Sequence, residues 1–285
     1  MRISHVQNNN NYNNKYYQPS FGIWHRDVYK TGKDGMEKLS HRNDTCFFRN
    51  GFFWENLTNY LEQKFSKTDK VNVYCYGCSD GSEPYTFAMK VLARGKDFAQ
   101  KFLPIQARDI DGIAICKALD GEYKLGSYEI FHFEQYLTDG FVKAGEDVVK
   151  IKKSKSSNLR EFFDYSEYSR DYLMPDGKLE VKAKDVLKKT VKFAMGDIFE
   201  DYKNINPDNA IVFARNFWPY IEDAQKRSEF FKKLYGHLHE GSLFVIGDFD
   251  AVEARDGSYF FGSVKKEIKR AGFVETELEN VFKKR

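Results

Sequence analysis

Glycines and polar residues stand in this chain where short β-prone runs end, and that placement limits the chemistry they can do. The run holding Val71, Val73 and Cys75 stops at Gly77, and Gly77 and Gly81 bracket a turn before the helical spacing of Tyr85, Ala88, Met89 and Leu92. A strand feeding a helix through glycines lets the backbone pass close to a ligand. It also points free N–H groups and the positive end of the helix dipole above the sheet, which is the geometry of a nucleotide site. The next run, Leu103 to Ala107, ends in Arg108, Asp109, Ile110 and Asp111 ahead of another helical pattern. An acid at the end of the second strand of a doubly wound sheet accepts hydrogen bonds from ribose hydroxyls, and either Asp109 or Asp111 supplies it here. Further on, Val191 to Met195 is followed by Gly196 and Asp197, and Ile211 to Ala214 by Arg215 and Asn216. Polar groups at the carboxyl ends of strands are where open α/β sheets bind ligands.

The elements that must hold these residues follow from periodicity. Pro84 falls in a first helical turn, where a missing N–H is tolerated. After Asn216 a helix is marked by Phe230, Phe231, Leu234 and Leu238 and stopped by Gly241; Leu243 to Ile246 is a strand, Val264 to Ile268 a helix, and Phe273 to Leu278 a last strand. This alternation predicts an α/β, Rossmann-like, doubly wound and mostly parallel sheet. Gly121 to about Lys189 interrupts it. Tyr128 to Leu137 and Leu159 to Tyr172 have helical patterns, and Pro175-Asp176-Gly177 is a turn before the alternation Lys178 to Lys182. The expectation is a small, hairpin-bearing insertion, mostly solvated, with Lys152, Lys153 and Lys155 in a charged loop. Ahead of the first helix (Phe53, Leu57, Tyr60, Leu61), Asn43, Asp44 and Thr45 have the chemistry of N-cap or turn residues, followed by core phenylalanines. Residues 1–21, rich in asparagine and poor in aliphatics, read as a disordered tail.

Composition narrows the classes. The 285 residues are 41% hydrophobic and 31% charged, an ordinary globular balance, and the net charge of +3 demands no nucleic-acid partner. No apolar run approaches the ~20 residues of a membrane span and no secretory h-region is visible, so a cytoplasmic location without membrane insertion is expected. Cys75 and Cys78 form one C-x-x-C, but no second pair or histidine set completes a metal site. With Cys46 and Cys116 they are expected to be reduced packing residues, and no metal is expected.

The blocks NDTCFFR, GCSDGSEPYTFAM, ARDIDGIAICKALDGEY and IVFARNFWPYI, followed by LHEGSLFVIG, together resemble the CheR-type chemotaxis-receptor glutamate methyltransferases over about Arg42 to Arg285. The resemblance implies a class I methyltransferase that uses S-adenosylmethionine and releases S-adenosylhomocysteine. It implies that Asn43, Thr45 and Arg49 face the methionine end of the cofactor, that Glu83 matches the family's E-P-Y glutamate, and that Asp109 rather than Asp111 meets the ribose. Asp197 and Ile198 would flank adenine, Arg215 and Asn216 match the family's arginine–asparagine pair, and Gly77 lies in the cofactor turn. Arg49, near the transferring methyl, and Tyr220 would be the catalytic residues. The implied acceptor is a protein glutamate on a receptor-type helical bundle, met by a monomer. The layout expected is a tail over 1–21, an N-terminal helical lead over 22–68, and a methyltransferase domain over 69–285 with its insertion at about 121–189.

Departures from the family pattern accompany the match. The usual S-T-G-E-E-P is Ser79-Asp80-Gly81-Ser82-Glu83-Pro84, the usual G-H-S-E is Gly247-Asp248-Phe249-Asp250, and the insertion is longer. They motivate two alternatives: a different protein or small-molecule acceptor, or a cofactor-binding sensor without turnover. Because residues 1–21 carry no core-forming pattern, deleting them should leave the melting temperature and the cofactor affinity unchanged; a drop of several degrees would show that this segment docks on the domain.

Overall fold

Short apolar runs bounded by turns become strands, and the longer amphipathic runs become the helices that cover them. The computed structural model describes residues 25–32, 35–42, 45–137, 157–165, 178–221, 223–251 and 264–285. An antiparallel pair, β1 (His25–Gly32) and β2 (Gly35–Arg42), precedes α1 (Gly51–Lys64). β3 (Asn72–Tyr76) leads into α2 (Ser82–Ala93), α3 (Lys96–Phe102), β4 (Ile105–Asp109) and α4 (Gly112–Asp120). The inserted region holds β5 (Glu122–Leu125), α5 (Ser127–Tyr136), α6 (Ser157–Phe162), β6 (Phe163–Asp164), β7 (Leu179–Ala183) and α7 (Asp185–Lys188). Then follow β8 (Val191–Met195), α8 (Ile198–Asp201), β9 (Ala210–Ala214), α9 (Ala224–His237), β10 (Leu243–Val245), α10 (Asp248–Ala251), α11 (Lys265–Arg270), β11 (Val274–Glu275) and β12 (Val281–Lys283).

The seven-stranded sheet runs β11-β12-β10-β9-β3-β4-β8. Its five central members, from β10 to β8, are mutually parallel, and β12 is antiparallel to β10. Every residue of β9 is buried, as a strand covered by helices on both faces requires. One face packs on α1 and α2 through Trp54, Leu57, Phe87 and Phe213, and the other on α9 and α11 through Phe231, Leu234, Phe244 and Ile268. The chain builds outward from β3 to β8, then returns to lay β9 on the other side of β3. That reversal makes a topological switch point, and a crevice, beyond Tyr76 and Ala214.

Several expectations are corrected. The lead over 22–68 is not uniformly helical, since 25–42 form a hairpin and helix starts only at Gly51. Thr45 does not cap that helix: its N-cap is Asn50, in the left-handed region, with no side-chain cap bond, and Asp44 lies outside the described residues. The helix expected over Leu159 to Tyr172 stops at Phe162, where the chain turns into β6 beside β7, and residues 166–172 of that expectation lie outside the described residues. The strand expected over Phe273 to Leu278 is only β11, and a further strand, β12, follows Asn280, whose φ is 68°. Cys46, Cys75 and Cys78 are buried, whereas Cys116 is exposed. The tail, Asn43 and the lysine cluster near 152 lie outside the described residues.

The insertion is also more than a solvated appendage. Its sheet, in the order β5-β7-β6, alternates buried and exposed residues, and its inner face carries Tyr123, Leu125, Phe163, Leu179, Val181 and Ala183 into the main core. Phe163 is fully buried, with its ring 5.5 Å from those of both Phe47 and Phe133. Phe163→Ala should therefore cost about 3–5 kcal/mol of unfolding free energy, whereas Val186→Ala, on an exposed position of α7, should stay within about 0.5 kcal/mol. A Phe163→Ala loss below about 1 kcal/mol in urea titration would detach the insertion from the core.

Candidate functional site

At the switch point the turn after β3 is forced into unusual backbone. Gly77 has φ of 68°, and a Cβ there would stand 2.7 Å from the Phe217 ring, so only glycine fits. Ser79 and Gly81 are also left-handed, at 48° and 89°, and the amides of Cys78 and Gly81 are taken by Arg108 and Cys78 carbonyls. Asp109, at the end of β4, accepts the Ser79 N–H at 2.7 Å on one oxygen and the Asp111 N–H at 2.8 Å on the other. Burial pushes its carboxyl up to about 6 against the pull of those donors. Asp111 instead caps α4, accepting from Ile113 N at 2.9 Å, so the two acids have separate duties.

Beside this turn lies a buried cation. The Arg215 guanidinium, 1% exposed at the side chain, donates to Glu83 at 2.8 Å and lies 4.6 Å and 4.8 Å from the ring centres of Phe53 and Trp54. Its Nε has no acceptor among the described residues. Trp54 in turn donates its indole N–H to the Arg49 carbonyl at 2.9 Å, tying the Thr45–Arg49 loop to the Glu83–Arg215 pair. That loop is held further by Phe47 N–H on Glu129 and Phe48 N–H on Thr86, both at 3.1 Å. Thr45 and Arg49 are half-buried within it.

On the far side, Asn216 is left-handed at φ 64° and its side-chain oxygen fills the space where a Cβ of Gly247 would stand. Asp250, buried, accepts three backbone N–H groups: Asn216 at 2.6 Å, Gly247 at 2.8 Å and Trp218 at 3.1 Å. Burial lifts its carboxyl to about 7 against those three bonds. This fixes the turn that carries Tyr220, whose ring lies 5.9 Å from Phe249. Asn50 and Asn280 both donate to Asp248, at 2.5 Å and 2.7 Å, beside the same wall. Asp197 caps α8 by accepting from Phe199 N at 3.0 Å, and Ile198 is buried next to it.

The structure thus joins Arg49, Glu83 and Arg215 through Trp54, and Gly77 with Asp109 through the Ser79 turn. It sets Asn216 and Tyr220 on one Asp250-pinned segment, and Asp197 and Ile198 after β8. Sequence reasoning missed the roles of Asp250, Thr86 and Glu129. Asp250 was within reach, being a polar residue just past a strand end; the other two act on backbone amides and leave no pattern.

The model of the CheR methyltransferase SAM-binding domain matches residues 43–166 and 164–267. The chain belongs to the CheR methyltransferase family. It is 25% identical over 224 residues to a chemotaxis protein methyltransferase of Borreliella burgdorferi, covering 76% of this chain and 67% of that relative. It is 22% identical over 236 residues to chemotaxis protein methyltransferase 2 of Vibrio cholerae, covering 81% and 69%. A probable chemotaxis protein methyltransferase of Rhizobium etli is 33% identical over 99 residues, covering 33% of this chain and 37% of that relative. The chain spans about two thirds of the length of the first two.

As a CheR-type methyltransferase it uses S-adenosylmethionine, and the residues present fit that group. A buried carboxylate at the end of β4 suits hydroxyl donors, a glycine turn admits close backbone approach, and the unmatched Arg215 Nε suits an anionic acceptor. Among the described residues no helix is long and apolar enough to cross a membrane.

The raised acids set a pH dependence. Asp250 holds its proton more tightly folded than at its ordinary value of 3.8, so its contribution is fully present below about pH 4 and is lost as pH rises to about 7. Asp250→Asn, which does not titrate, should flatten the fall of unfolding free energy across that window by up to about 1.4 kcal/mol per pH unit. Parallel slopes for the two chains would show that Asp250 is ionised throughout.

Proposed function

We propose that this methyltransferase esterifies a glutamate carboxylate of a protein, a receptor-type helical bundle in the cytoplasm, and that it does so as a monomer. The observation that carries the reading is the joining of the Arg49 loop to the Glu83–Arg215 pair through Trp54, at the switch point where β3 and β9 end. Bound S-adenosylmethionine supplies a methyl group on a sulfonium, which is an electrophile. Asp109 accepts ribose hydroxyls, Arg215 and Glu83 with Thr45 and Asn43 orient the methionine end, and Ile198 and Asp197 border adenine. Gly77 keeps the turn clear. Asn216 holds its left-handed turn, pinned by Asp250, between Arg215 and the segment that carries Tyr220.

An acceptor carboxylate is already ionised near neutral pH, its reference pKa being about 4.3, so the site needs no base to remove a proton. Arg49 attracts and orients that carboxylate, and Tyr220 limits its approach. The protein's work is alignment and exclusion of water, for which ~7–11 kcal/mol of barrier is available. A second reading keeps the cofactor and changes the acceptor to another protein or a small molecule; the inserted region, longer than the family pattern, motivates it.

Arg49→Ala and Tyr220→Phe should lower methyl transfer by on the order of 100-fold while leaving calorimetric affinity for S-adenosylhomocysteine within about 3-fold. Asp109→Ala should do the reverse, since its partner is remote from the reacting methyl. Labelled methyl transferred to the source organism's lysate should be released as methanol by mild base. Label that resists base would exclude a glutamyl ester and promote the second acceptor.

A further inference from the structure

Arg49 sits in a loop that the backbone alone would not hold. Phe48 and Asn50, on either side of it, have φ of 53° and 60°, a region that asparagine visits readily but that strains a phenylalanine. Something must therefore fix each amide between them. Phe48 N–H is taken by Thr86, which also donates to the Ser82 carbonyl at 2.8 Å, so this support comes from the cofactor helix α2. The Arg49 carbonyl is taken by Trp54 of α1. Phe47 N–H is taken by Glu129, which belongs to neither: it lies in the first turn of α5, inside the inserted region.

Glu129 is buried, and its two oxygens are divided between two elements. One accepts Phe47 N–H and the other accepts Gly126 N–H, each at 3.1 Å, so a single carboxylate joins the loop to the start of α5. Aromatic packing runs through the same joint. The Phe47 ring lies 4.9 Å from Tyr123 and 5.2 Å from Phe133, and Phe48 lies 5.0 Å from Phe133. Removing a buried acceptor leaves two N–H groups unpartnered, which is costlier than the bond itself was worth.

We infer that Glu129 is a positioning residue through which the inserted region fixes the Thr45–Arg49 loop, and so the direction of Arg49. The inference rests on the reading of Arg49 given above, and it makes the insertion part of the methyl-transfer machinery, because α5 supplies the carboxylate that holds the loop. Burial lifts the Glu129 carboxyl to about 7 against the pull of the Gly126 and Phe47 N–H bonds, with Asp80 adding to the rise and Lys178 opposing it.

The test uses the full chain with Glu129→Ala and Glu129→Gln, the second retaining one acceptor oxygen for two donors. Amide hydrogen exchange over residues 46–49 should quicken by about tenfold or more in Glu129→Ala and by less in Glu129→Gln, with the β3 amides unchanged. Affinity for S-adenosylhomocysteine should stay within about 3-fold, and methyl transfer should fall about tenfold. In the Arg49→Ala background Glu129→Ala should add no further loss, since both changes remove the same function. Unchanged exchange at 46–49 in a folded variant overturns the inference without any acceptor being needed, as does a double variant slower than Arg49→Ala by the full Glu129→Ala factor. Wild-type chain that binds no S-adenosylhomocysteine would instead defeat the cofactor reading, and the exchange result would still decide the role of Glu129 in the loop.

Discussion

A guanidinium removed from water is the constraint on which this structure turns. Arg215 is carried into the interior at the end of a strand buried on every residue, and an uncompensated charge there is strongly destabilising. Glu83 supplies the counter-charge from the first turn of α2, and Phe53 and Trp54 supply ring faces from α1. The need to meet one cation thus fixes three helices and strands relative to each other. It also explains the aromatic start of α1, whose residues cover the charge rather than merely fill space. A pair of this kind is weak evidence of stability in itself; its value is that only one arrangement of its neighbours satisfies it.

Much of this was legible in the chain beforehand. Val71 to Met89 read as strand, turn and helix because apolar period, glycine position and Pro84 agree, whereas the pattern alone leaves Asp109 and Asp111 equivalent and only the family resemblance ranks them. The hairpin at 25–42 was not legible, because charged residues occupy both faces of its alternation and no apolar stripe marks it. The helix over Leu159 to Tyr172 was overextended because its pattern continues past Phe162, where pairing with β7 takes over. Tertiary hydrogen bonding overrode local propensity there. Glu129 was hidden for a different reason: its partner is a backbone N–H 82 residues away, and an amide has no residue identity to read.

The inserted region shows why an appendage judged by composition is misjudged. Its outer face is rich in lysine and glutamate, and pairs such as Lys124 with Glu180 and Lys182 with Glu122 are solvent-exposed, contributing little. Its inner face is aromatic and continuous with the core around Phe47 and Phe133. Composition averages two faces that have opposite environments, and only the alternation within β5 and β7 separates them.

The order of strands has a consequence for how the polypeptide reaches this form. β3 occupies the middle of the sheet, yet its two neighbours are β4, which follows soon after, and β9, where Asn72 meets Ala210. During synthesis the first half of the sheet therefore emerges with the inner edge of β3 unpaired, and it stays so until the insertion and β8 have been made. For that interval the run Asn72 to Tyr76 presents open N–H and C=O groups and apolar side chains, the condition under which strands add to other chains. Slowed elongation between β8 and β9, or a shortage of chaperones that shield nascent strands, would thus lower the yield of active protein without altering any property of the finished fold.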